Sequence, residues 1–221
     1  MENNEAPQKL LEILKSKNET PVVLPTSGEE WRALIRLASI HQVRSLVYFR
    51  LQEKGLFNRV PQIVADHLKR DYLMIAGRNS IFLQDHRELV DLLNQNGVPN
   101  ISLKGMHFIR SVYPEVSLRE LVDIDLMVPK NQLRQSVDLI RSIGFETYRP
   151  IDWDLDIKTS HQLPVFTNHN QTNLEIHHSI SSGEEEQNFD SNELWFSKRM
   201  YNHGGFSYHS LSPEMTILYH C

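Results

Sequence analysis

Leu121-Val122-Asp123-Ile124-Asp125-Leu126-Met127-Val128 is the stretch on which the fold turns. It is a β-prone, alternating run, and a side-chain period of two puts Asp123 and Asp125 on one face while Ile124, Leu126 and Val128 take the other. Two carboxylates held side by side in an apolar strand repel each other, and a divalent cation offsets that repulsion most directly. Mg2+ suits such oxygen ligands, with Mn2+ as the alternative. Taken alone, the Asp-x-Asp pattern fits equally well with one aspartate at a solvated strand end and the other capping the next turn. A second run tips that balance. Leu174-Glu175-Ile176-His177-His178-Ser179-Ile180 alternates in the same way, with Glu175, His177 and Ser179 on one face and Leu174, Ile176 and Ile180 on the other. If the two strands are neighbours, three carboxylates converge. Without the aspartates, Glu175 would read as an edge-strand residue paired with a lysine.

Upstream of these runs the chain is helical and carries no evident chemistry. Ser27-Gly28-Glu29-Glu30 is a capping box that opens a helix. Trp31, Leu34, Ile35, Ala38, Leu46 and Val47 continue it at helical spacing to an end near Gly55. Pro61 opens a second pattern through Val64, Leu68, Tyr72, Ile75, Phe82, Leu89 and Leu93, closed at Gly97 and readable as one helix or two. Beyond Gly97 strands and helices alternate. Val98–Leu103 is a short strand, Met106–Tyr113 a helix and Asn131–Ile143 an amphipathic helix closed by Gly144. Phe145–Tyr148 is a strand, and Leu163–Thr167 with Asn173–Ile180 forms a hairpin through Asn168-His169-Asn170-Gln171. The acidic stretch Ser181–Asn192 reads as a loop. From Ser212 a helix begins that reaches Cys221 with little to pack against, so the chain is expected to be a piece of a longer protein.

The composition excludes several classes. Of 221 residues, 40% are hydrophobic and 23% charged, as in ordinary globular proteins, and no apolar run is long enough to span a membrane. The N-terminus has no secretory pattern and Cys221, the single cysteine, has no partner for an internal disulfide, so a reducing cytoplasm is the expected compartment. A formal net charge of −5 disfavours extended nucleic acid as a partner, because that grip depends on many cations neutralising phosphates.

Several segments taken in order resemble the uncharacterised nucleotidyltransferase family of bacteria: Leu103-Lys104-Gly105, Arg119 ahead of Asp123-Ile124-Asp125-Leu126-Met127-Val128, Gly144-Phe145, His161-Gln162-Leu163-Pro164 and Leu174-Glu175-Ile176-His177. The resemblance spans Val98 to Ile180. It implies distant kinship with the DNA polymerase β superfamily, in which a glycine motif at a helix start, an Asp-x-Asp strand and a third acidic strand build the metal site. The superfamily's Gly-Ser or Gly-Gly pair is replaced here by Lys104-Gly105, the form this branch favours. The implied architecture is α+β, a nucleotidyltransferase fold with a small mixed sheet. The expected division is a helical region over 1–96, a catalytic core over 97–180 and a C-terminal piece over 181–221.

The same resemblance implies an NTP substrate and a small-molecule, sugar, peptide or protein acceptor. Asp123, Asp125 and Glu175 would be both catalytic and metal-binding. Lys104, Gly105 and Arg119 are the expected phosphate contacts, since amides at a helix start and nearby cations receive phosphate oxygens. His177 shares the face of Glu175 and is placed with them, as is His161 from the family pattern. His178 should pack in the opposite layer, and Tyr113-Pro114, Gly144 and Trp153 read as packing and turn features. No HExxH or Cys-x-x-Cys spacing accompanies the eleven histidines, which argues against zinc. Two other functions use the same fold: a low-turnover nucleotide-binding or partner-regulating protein, and a metal-dependent phosphohydrolase with water as acceptor.

Overall fold

The computed structural model describes residues 5–15, 22–179 and 191–220. Contacts divide the chain into two units, one of residues 1–80 with 113–120 and one of residues 81–112 with 121–221. No helix among the described residues is long and apolar enough to cross a membrane.

The first unit holds α1 (Ala6–Leu14), α2 (Gly28–Ile40), α3 (Arg44–Glu53) and the first half of α4 (Gln62–Gln95). Ser27 caps α2 by accepting from the Glu30 amide at 3.2 Å. The Glu30 carboxylate reaches back as a capping box requires, but to the Thr26 amide at 3.0 Å, one residue beyond the cap. The helix expected to run on to Gly55 breaks at Gln42, which takes φ +54°. There the Val43 amide donates to the Ala38 carbonyl at 2.8 Å, a closing bond that needs a left-handed residue and turns the chain into α3. Leu10, Ile13, Trp31, Leu34, Val47, Leu51 and Leu68 form a core of their own. α1 was not expected, and Pro61 opens one continuous α4 instead of two helices. α4 runs on into the second unit, so contacts draw the division at Ser80, inside this helix.

Among the described residues, the second unit is built on a seven-stranded mixed sheet. Its strands are β1 (Ile101–Ser102), β2 (Ile124–Met127), β3 (Glu146–Thr147), β4 (Phe166–Thr167), β5 (Asn173–His177), β6 (Arg199–His203) and β7 (Phe206–Ser210), in the order β3-β4-β5-β2-β1-β7-β6. β2 runs parallel to β5 and antiparallel to β1, and β7 runs parallel to β1. The helices are α5 (Lys104–Ser111), α6 (Leu133–Ser142), α7 (Trp153–Thr159), α8 (Ser191–Ser197) and α9 (Pro213–His220).

Alternation sorts the two faces of β2 and β5. Ile124, Leu126, Leu174 and Ile176 join Leu89, Leu93, Val137 and Ile140 in the larger core, whereas Met127 packs with Ile101, Leu103, Leu194 and Leu211. The sheet exceeds the small one expected, because the β6–β7 hairpin extends it. α7 is also additional, capped by Asp152 accepting from the Leu155 amide at 3.1 Å. Of the stretch read as a loop, residues 181–190 lie outside the described residues and the last two begin α8. Ile180 and Cys221 are likewise outside them.

Candidate active site

β2 and β5 are direct neighbours, and their register sets Asp125 opposite Glu175 and Met127 opposite His177. Side chains at paired positions of adjacent strands share a face, so Asp125, Glu175 and, two residues on, His177 meet on the face away from the larger core. Donor atoms of these three lie within 4.8 Å of one another. Asp123 stands one residue before β2, half-buried and outside this tightest set, but the carboxylates of Asp125 and Glu175 both act on it.

β1 brings in the third element. The Leu103 amide donates to the Asp125 carbonyl at 3.0 Å, and α5 starts at the next residue. Lys104 turns the corner with φ +43°, a region that an L side chain occupies at a cost of roughly 1 kcal/mol. That turn aims its ammonium at Asp125 Oδ1, 2.8 Å away, and leaves Gly105 buried in the first turn of α5. His177 Nε2 lies 2.8 Å from the same oxygen and 3.5 Å from Glu175 Oε2. The residues His161-Gln162-Leu163 run antiparallel to the end of β5, with the Leu163 amide donating to the Ile176 carbonyl at 2.9 Å and the His178 amide to the His161 carbonyl at 3.0 Å. The His161 ring stacks on His177 with centroids 5.4 Å apart.

Burial makes these charges interact strongly. Asp125 is 2% exposed and His177 fully buried. Burial opposes the imidazolium of His177, but Asp125 and Glu175 outweigh it and hold its pKa above the usual value. Burial likewise pushes Asp125 up, and His177 with Lys104 outweighs it, so its pKa is held below the usual range. Glu175 is lowered chiefly by His177, against its own burial and the Asp125 charge. Asp123 has no such partner: burial and then the charges of Asp125 and Glu175 lift it to about 6.

The donor set fits a divalent cation. The carboxylates of Asp123, Asp125 and Glu175 offer the hard oxygens that Mg2+ and Mn2+ prefer, and Asp123 is raised first by burial and then by the charges of the other two. His177 completes the cluster of groups able to hold a metal, and its Nε2 lies against the same Asp125 oxygen that Lys104 reaches.

Arg119 belongs by contacts to the first unit, where Asn79 donates to its carbonyl at 2.7 Å. His178 is buried, as a packed residue should be. Gln162, whose amide helps lower Glu175, had not been singled out, although it lies within the quoted His161–Pro164 motif. No periodicity marks it, since the segment is too short to alternate.

The model of the uncharacterised nucleotidyltransferase family matches residues 27–221, and the chain belongs to that family. No curated protein matches it. Among solved structures, it is similar to a Thermotoga maritima protein assigned provisionally as a nucleotidyltransferase, with 16% identity, 64% of this chain and 83% of the other covered, and a TM-score of 0.47. It is also similar to the lincosamide antibiotic adenylyltransferase LnuA, solved with lincomycin, at 14% identity, 62% and 85% coverage, and a TM-score of 0.45.

Proposed function

We propose that this nucleotidyltransferase moves a nucleoside monophosphate from an NTP to a hydroxyl-bearing acceptor, a small molecule, sugar, peptide or protein, with release of pyrophosphate. The observation that carries the reading is the register of β2 and β5, which sets Asp125 beside Glu175 with Asp123 one residue ahead of the strand. Asp123, Asp125 and Glu175 would hold the cation. Bound Mg2+ or Mn2+ supplies positive charge for the phosphate oxygens and the departing pyrophosphate.

The chain's own groups account for the rest. The open amides at the start of α5 receive phosphate oxygens, and Lys104 adds a cation beside them. His177 and Lys104 hold Asp125 ionised and fix one of its oxygens, so the carboxylate is pre-oriented before substrate arrives. Glu175 accepts a hydrogen bond from the acceptor hydroxyl and aligns it with the α-phosphorus. Its lowered pKa makes it a weak base, so positioning is its main contribution. In the reaction the acceptor oxygen bonds to the α-phosphorus, the bond from that phosphorus to the bridging oxygen breaks, and the hydroxyl proton leaves through Glu175 to solvent.

The reading places the enzyme in the cytoplasm, with soluble acceptors. It is tested with purified chain, each labelled NTP and Mg2+ or Mn2+. Wild type should bind a nucleotide and release pyrophosphate when an extract of candidate acceptors is added, and mass spectrometry should find the nucleotidylated product. Asp125→Asn and Glu175→Gln should each lower the rate by about 100-fold or more, as loss of charge-positioning groups does. Absence of nucleotide binding, together with no effect of Asp125→Asn, would end the proposal. Phosphate or monophosphate without an adduct would point to hydrolysis.

A further inference from the structure

We infer that the first unit carries a binding site for a small organic anion with an apolar body, in a cleft of about 650 Å3 between α2 and the first turns of α4. That volume lies within the range of pockets that take small ligands.

The two walls are helical stripes. On α2, Trp31 and Ile35 lie with Arg32 and Arg36, each pair one turn apart and so on one face. From α4 come Val64, Ile63 and Arg70. Trp31 is buried at the base, whereas Ile63 on the rim is 81% exposed, leaving an aliphatic side chain available to cover a ligand. Burying such a side chain favours association by removing apolar area from water.

The charge distribution selects the ligand. No carboxylate lines the cleft, and among the described residues none forms an ion pair with Arg32, Arg36 or Arg70. Of the nearby acids, Asp71 bonds to Arg44 at 2.8 Å, Glu30 to Lys9 at 2.6 Å and Asp66 to the Gln62 amide at 2.8 Å, and Glu29 on α2 is not among the residues lining the cleft. Arg70 lies 3.0 Å from the His67 ring nitrogen. On a chain of net charge −5, three guanidinium groups without carboxylate partners around one apolar-floored hollow are complementary to an anion. Their planar forks suit the paired oxygens of a carboxylate or phosphate, and the floor suits a hydrocarbon or ring attached to it.

The test is calorimetric titration of the full chain with decanoate, decanol and acetate. Decanoate should saturate one site per chain, with decanol, which lacks the charge, and acetate, which lacks the body, each binding about tenfold or more weakly. The double variant Arg32→Gln/Arg36→Gln should weaken decanoate by about tenfold or more, and Ile63→Asp should also weaken it. All three positions are exposed, so circular dichroism should show the variants folded like the wild type. Asp125→Asn should bind decanoate as the wild type does, which keeps this result separate from the nucleotide reading. Decanoate that fails to saturate, that binds the double variant unchanged, or that binds no better than decanol overturns the inference.

Discussion

Asp125 Oδ1 accepts from Lys104 and His177 together, whereas these two act on Asp123 only through their charge and are outweighed by burial and the charges of Asp125 and Glu175. The consequence is a split in titration. Asp123 stays partly protonated up to about 6 in the fold against 3.8 for a free aspartate, so between these values the native state binds more protons than the unfolded chain. Without divalent cations its contribution to stability therefore falls as pH rises from about 4 to 6. His177 acts in the same sense at higher pH: its contribution is complete below its ordinary value and fades as pH rises through its elevated one. Asp125 and Glu175 act oppositely, contributing above their ordinary values and losing that contribution in acid. Asp123→Asn should thus raise the melting temperature of metal-free protein at pH 7.5 by a few degrees, equivalent to roughly 1 to 2 kcal/mol once solvent screening is allowed for. It should also flatten the stability slope between pH 4 and 6. Calorimetric melts of both proteins across that range decide it, and an unchanged or lower midpoint at pH 7.5 counts against a carboxylate strained by burial and its acidic neighbours. Lys104 makes a second claim. Lys104→Ala loses the ammonium and keeps the left-handed backbone, whereas Lys104→Gly loses the ammonium and relieves the backbone, so the glycine variant should be the more stable by about 1 kcal/mol in urea denaturation.

Among the elements, the β4–β5 hairpin is held from below by a single carboxylate. Asp85 on α4 is 5% exposed and accepts from Asn168 at 2.9 Å, Asn170 at 3.2 Å and the Thr172 hydroxyl. Asp85→Ala would strand the buried donors Asn168 and Thr172 and cost about 3 kcal/mol, measurable by denaturant titration. Because β5 carries Glu175 and His177, the same change should also lower the transfer rate; full activity in a destabilised variant would show that the hairpin does not set the site. The element pattern explains which parts were legible. β2 and β5 alternate cleanly and were readable, as was Gly97, where the Val98 amide closes on the Leu93 carbonyl at 2.9 Å. The β6–β7 hairpin was not, since Arg199–His203 is mostly exposed and polar and gains its place only by pairing with β7, which in turn lies beside β1. The Gln42 turn was hidden because glutamine seldom marks a helix end. α7 had a signal in Asp152 ahead of Trp153, overlooked because the helix is only seven residues long.

For the whole molecule, charge limits the partners. With a net charge of −5 the chain should show no retention of double-stranded DNA or RNA in a mobility-shift assay at about 0.15 M salt, where screening leaves only dense basic surfaces able to bind. Tight, salt-sensitive binding there would reopen the question of a nucleic-acid acceptor. The contact division into two units also shows what a linear reading could not see: residues 113–120 return to the first unit, with Asn79 bonded to the carbonyls of Val116 and Arg119. Arg119 therefore precedes the Asp-x-Asp run in sequence but is anchored with the first unit.

Sequence alone determined the α+β class, the alternation that sets Asp125 and Glu175 each on the face opposite their apolar neighbours, and the family motifs, because these follow from local periodicity and residue type. Only the tertiary structure decided that β2 and β5 pair in the register Asp125 to Glu175, that His177 and Lys104 share one carboxylate oxygen, and that Asp123 is left with a raised pKa. Pairing, register and burial arise from contacts between residues some fifty positions apart, and those distances are absent from any local pattern.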